Sequence, residues 1–81
     1  MTPPANHNVD FAALARDLRH YREETGQTVR DVGEIVQAGA STVNRVERAK
    51  SVPNTRMFLA LCDLLDKDPI TYFLPGVPYT G

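Results

Sequence analysis

Four side chains in one short segment carry the most specific chemistry of this sequence: Ser41, Asn44, Arg45 and Arg48. Ser, Asn and Arg hold phosphates or hydrogen-bond base edges, Arg with both arms on guanine and Asn with both on adenine. Around them, Val29, Val32, Val36, Val43 and Val46 recur at steps of three and four, interrupted at Gln37-Ala38-Gly39. That rhythm predicts two short helices joined by a tight turn, with the polar residues away from the apolar side of the second. The chemistry such an arrangement offers is recognition of duplex DNA.

Arg45, exposed in the middle of the second helix, is the expected guanine reader. Asn44 contacts adenine or is simply solvated, and Ser41 bonds a base or a phosphate or caps its helix. Ala40 offers a methyl contact to thymine. So short-armed a surface reads few base pairs directly, and DNA shape supplements it. Arg48, Lys50 and Arg56 are expected phosphate clamps, helped by the backbone N–H groups of Ser51 and Thr55. The net charge of −1 does not by itself favour nucleic acid, but its distribution does. Residues 40–56 carry a balance of +3, while the segments on either side each carry −2.

Other chemistries find little support. His7 lies in a Pro- and Asn-rich start and His20 on a predicted helix, neither with a partner at metal-ligand spacing. Asp63, Asp66 and Asp68 read as a helix end and its cap, since a calcium loop needs more ligands and a glycine. No glycine-rich phosphate loop occurs. The lone cysteine, Cys62, sits on an apolar stripe, reads as core, and suits a reducing cytoplasm. No apolar run approaches a membrane span, and residues 1–9 do not read as a signal peptide. The expectation is a non-enzyme without metal, cofactor or small-molecule substrate.

The elements that must position the polar face follow from capping and periodicity. Eighty-one residues make one domain. Residues 1–9 are expected as a flexible tail, 10–74 as the folded unit and 75–81 as an extended C-terminal tail. Asp10 caps a first helix, with Val9 stapling onto Leu14; Phe11, Leu14, Leu18 and Tyr21 form its stripe and Gly26 ends it. Thr28 and Asp31 form a capping box at the second helix. Gly33 inside that helix suggests another helix crossing closely there. The third helix runs from about Ala40 to Arg48. Asn54 caps a fourth with Phe58, Leu61, Cys62 and Leu65 inward. Asp68 and Pro69 open a short fifth helix, with Ile70 and Phe73 expected inward.

Leu18 and Arg22 with Gly26, Thr28 and Val32; Thr42, Val43, Val46 and Glu47 with Lys50; and Pro53, Leu61, Leu65 and Asp68-Pro69 before Phe73 together form a pattern. It resembles the Cro/repressor-type (Xre-like, lambda-repressor-like) helix-turn-helix family. The resemblance implies an all-α, compact five-helix domain whose second and third helices form the helix-turn-helix. It implies a structural ion pair between Arg22 and Glu47, and a major-groove face at Ala40, Ser41, Asn44 and Arg45. It also implies a phosphate approach at Thr28, Val29 and Arg30. The chain departs from the family pattern at four places. Gln37 stands at the usual turn glycine, Gly39 at the usual Ser cap, Ala49 at a usual Gly and Val29 at a usual Gln.

These readings describe a cytoplasmic transcription regulator, Cro-like or controller-like, that binds a near-palindromic double-stranded operator as a homodimer and represses by occupying it. Tyr72, Leu74, Val77 and Tyr79 either cover the small core or form the twofold seam. The alternative is a protein-interaction module of the same fold, of antitoxin or anti-repressor type, with weak or no DNA binding.

Overall fold

A computed structural model describes residues 9–73. Four α-helices follow one another: α1 (Phe11–Thr25), α2 (Val29–Val36), α3 (Ala40–Glu47) and α4 (Thr55–Leu64). A 3-10 turn at Pro69–Tyr72 follows α4. It stands where a fifth α-helix is expected, so the described residues form four α-helices and one short 3-10 segment.

The caps explain where the helices begin. The Asp10 carboxylate accepts the Ala13 N–H at 3.0 Å, Asn54 accepts Met57 N–H at 2.8 Å, and Asp68 accepts Ile70 N–H at 3.0 Å. Each satisfies a backbone donor that the first helical turn leaves unpaired. At the other end of α1, Gly26 adopts φ +73° and its N–H returns to the Arg22 carbonyl. Only a residue without Cβ takes that conformation freely.

The helices enclose one core. Leu14 and Leu18 of α1, Val32 and Val36 of α2, Val43 and Val46 of α3, and Phe58, Leu61 and Cys62 of α4 are all buried, with Tyr72 closing it. Each large apolar side chain buried there contributes about 1.5–3 kcal/mol before chain entropy is charged against it. Phe58 stands edge-on to both Phe11 and Tyr72, at centroid separations of 6.1 and 6.4 Å.

Three expectations need correction here. Ile70 is 73% exposed and Phe73 43% exposed, so neither points inward. A 3-10 turn repeats every three residues, which puts Pro69 and Tyr72 on its inner side and Ile70 and Phe73 on its outer side. Tyr72 is buried in the core, as the first of its two readings has it, and its hydroxyl donates to Asp17 Oδ2 at 2.7 Å. Val9 belongs to the folded unit rather than to a tail. It bridges Phe73 in antiparallel fashion, and Asp10 N–H donates to the Tyr72 carbonyl at 2.6 Å. Finally, Gly33 answers to no crossing helix. A Cβ there would stand 2.5 Å from the Ala38 carbonyl oxygen, in the turn between α2 and α3. Leu74, Val77, Tyr79 and residues 1–8 lie outside the described residues.

Candidate nucleic-acid interface

Helix α3 buries Val43, Val46 and Glu47 and presents its other side. Ser41, Arg45 and Arg48 are exposed on that side, while Ala40 and Asn44 are half-buried beside them. Positions 41, 45 and 48 fall on one stripe, with Asn44 next to it. Among the described residues Arg45, Arg48, Lys50 and Arg30 take part in no ion pair. The one acid of the segment, Glu47, is 7% exposed and faces inward. Arg22 Nη2 donates to Glu47 Oε1 at 2.8 Å and Arg22 Nε donates to Oε2, a bidentate pair joining α1 to the end of α3. The hydrogen bonds to Glu47 push the Arg22 pKa above its ordinary value, so the guanidinium charge is fixed. Arg22 also donates from Nη1 to the Gln27 carbonyl at 3.2 Å. The outer surface of α3 is thus purely basic, because its carboxylate is neutralised from behind.

The turn that aims α3 is held from several sides. Ala38 N–H donates to the Gly33 carbonyl at 2.8 Å, and Gln37 adopts the left-handed conformation at φ +59°. Arg56 donates to the Val36 and Gln37 carbonyls at 3.3 and 3.2 Å. Its guanidinium, an expected phosphate clamp, also bonds the C-terminal carbonyls of α2, where a cation is favoured. That engagement is non-local, and nothing in the local sequence announces it. Gly39 starts α3 in extended conformation with no side-chain cap. At the far end, Ala49 at φ +58° closes α3, with Lys50 N–H on the Arg45 carbonyl at 2.8 Å and Ala49 N–H on the Val46 carbonyl at 3.0 Å. This is the double bond pattern that satisfies the last carbonyls of a helix.

At the start of α2, Thr28 and Arg30 are exposed, and Val29 is half-buried against the core. Thr28 Oγ1 accepts Asp31 N–H at 3.1 Å and Asp31 Oδ2 accepts Thr28 N–H at 2.9 Å. Ser51 is half-buried beyond α3. Two cavities, of about 240 and 210 Å³, include no residue of α3. An exposed helix face of this kind suits insertion into a groove. Burial raises the Cys62 thiol pKa above its ordinary value. Among the described residues no cluster of three or more His, Cys, Asp or Glu could hold a metal, and no helix is long and apolar enough to cross a membrane.

A family model described as "Helix-turn-helix domain" matches residues 13–70. No curated protein matches the sequence. Among solved structures, the fold is similar to the crystal structure of the clp gene regulator ClgR from Corynebacterium glutamicum, with a TM-score of 0.63 at 20% identity. The match covers 88% of this chain and 70% of that one. At such identity the likeness concerns the fold.

Proposed function

The chain belongs to the helix-turn-helix domain family, and on that premise we propose that it is a sequence-specific DNA-binding transcriptional regulator of the Cro/repressor type. Helix α3 enters the major groove of an operator, and repression follows from occupying that site. The observation that carries this reading is the outer face of α3, where Ser41, Arg45 and Arg48 stand free while Glu47 is buried against Arg22. Arg45 reads guanine, and Asn44, Ser41 and Ala40 read neighbouring bases. Arg48 and Lys50, with Arg30 and Thr28 at α2 and Ser51 beyond α3, hold phosphates. Two copies on DNA present their α3 helices about 34–36 Å apart, one duplex turn, and select a near-palindromic site. The likeness to a solved gene regulator supports this reading. The setting is cytoplasmic, without cofactor or catalysis.

Selection of bound fragments from a random duplex library, followed by a salt series, tests the proposal. Affinity is expected to fall steeply with salt, with a slope near −0.9 per phosphate neutralised. Arg45→Ala is expected to weaken the selected site by about 1–3 kcal/mol and relax one base position. Equal loss on selected and random duplexes would make Arg45 a phosphate contact.

A second reading, a protein-interaction module of the same fold, is favoured by one surface. Val9, Phe11, Leu59 and Phe73 line an apolar groove in which Leu59 and Phe73 are about half exposed. Absence of binding to any duplex at low salt would favour it over the first.

A further inference from the structure

We propose that Asp31, an exposed carboxylate at the start of α2, is an affinity-limiting residue that weakens phosphate contacts without touching base preference. The inference rests on the DNA-binding reading above. In a helix-turn-helix complex the first helix of the pair crosses the DNA backbone while the second enters the groove. The start of such a helix ordinarily attracts anions, because its first N–H groups are unpaired and its dipole is positive there. In this chain two of those donors are already taken: Asp31 N–H by Thr28 Oγ1 and Thr28 N–H by the Asp31 carboxylate, at 3.1 and 2.9 Å. The same carboxylate that satisfies the cap neutralises the end of the helix and repels an approaching phosphate. Glu34, also exposed on α2, adds a second negative charge, and Arg30 offsets only one of the two. The two helices of the motif therefore act in opposition: α3 is basic on its outer face and α2 is acidic on balance.

Phosphate contacts carry no sequence information, so Asp31 lowers specific and random binding together. Asn at position 31 keeps an acceptor for the Thr28 N–H and removes the charge. Asp31→Asn is expected to tighten binding to the selected site and to a random duplex by the same factor, about 3- to 10-fold near 50 mM salt. That gain shrinks as salt screens the repulsion. Asp63→Asn makes the same change in net charge at an exposed position near the C-terminal end of α4, and less than about 2-fold is expected from it. Asp31→Ser, which also lacks the charge, is expected to match Asp31→Asn, and thermal melting of each variant reports the cap separately.

Three outcomes overturn the proposal: no gain at Asp31 while the parent protein binds, an equal gain from Asp63→Asn, or a gain confined to the selected site. Failure of the parent protein itself to bind any duplex overturns the DNA-binding reading, and the two failures are told apart by that measurement.

Discussion

Helix α1 begins on Asp10, whose carboxylate holds the Ala13 N–H, and ends on Gly26, which accepts φ +73° without strain. Helix α3 begins on Gly39, which has no side chain to cap with, and is closed by Ala49 at φ +58°. Between α2 and α3, Gln37 also adopts a left-handed conformation that L-residues resist by about 1–2 kcal/mol. One region obeys local preferences at both ends, and the other departs from them at each turn. The frame is capped by its own side chains at the starts of α1 and α4, although α4 too is followed by a left-handed non-glycine, Asp66 at φ +56°. The recognition hairpin is in addition held in shape by contacts with that frame. Arg22 on Glu47 and Arg56 on the α2 carbonyls are those contacts.

The sharpest way to break this contrast is Arg22→Ala. It leaves Glu47, 7% exposed, as a buried carboxylate without its partner. Breaking a buried pair from one side costs about 3–5 kcal/mol; with Arg22 itself about a quarter exposed, about 3 kcal/mol is expected. Urea unfolding at neutral pH measures it. A loss below about 1 kcal/mol would mean that α3 holds its place without the frame. Replacing both residues with apolar ones is expected to recover much of the loss, because no lone charge remains.

Gly33→Ala comes next. Alanine gains about 1 kcal/mol of helix propensity over glycine, yet its Cβ meets the Ala38 carbonyl at 2.5 Å, and a backbone atom cannot swing aside. A net loss of about 1–2 kcal/mol is expected from the forced shift of the turn, read as a lower unfolding midpoint. Stabilisation instead would show that the turn is loose enough to yield, and the hairpin would not be tightly held.

Tyr72 tests the frame. Burial first, then the hydrogen bond to Asp17, raises its pKa above the ordinary value near 10. Below pH about 10 both folded and unfolded chains keep the phenol proton, and its contribution is fully present. As pH rises past that value the unfolded chain releases the proton while the folded one retains it, so stability falls. Tyr72→Phe is expected to cost about 1 kcal/mol at pH 8 through loss of the bond to Asp17. Denaturant melts at pH 8 and pH 10.5 should show that difference narrowing at the higher pH. An unchanged gap would mean that Tyr72 titrates as a free phenol.

The same contrast explains what was legible in the sequence. The caps Asp10, Thr28 with Asp31, Asn54 and Asp68 were readable because each acts within three residues of itself. The valine rhythm revealed the two helices of the motif for the same local reason. The role of Arg56 was not readable, since its acceptors lie 19 and 20 residues away. Nor was the reason for Gly33, which depends on where the turn folds. Ile70 and Phe73 were assigned inward on an α-helical period, and the three-residue repeat of the Pro69–Tyr72 turn reversed them. The outer face of α3 could be inferred, and the resemblance already paired Glu47 with Arg22 of α1. What the structure adds is how completely that pair withdraws Glu47 from the outer face.

Gln37→Gly and Ala49→Gly make the smallest and most discriminating pair. If the hairpin keeps its left-handed residues only because the frame imposes them, glycine at either position relieves strain. The relief of about 1–2 kcal/mol is reduced by the greater entropy glycine loses on folding, leaving a net gain of about 0.5–1 kcal/mol each. The Gln37 carbonyl that accepts Arg56 is backbone and survives the change, and its side chain makes no hydrogen bond among the described residues. The two sites close different helices, so the gains should add in the double variant. Base preference should not move, because neither side chain belongs to the proposed reading face. If either glycine instead lowers stability, the parent side chain makes a contact that sets the turn. The hairpin would then be specified locally after all, and the division between frame and hairpin would lie closer to α3 than the caps suggest.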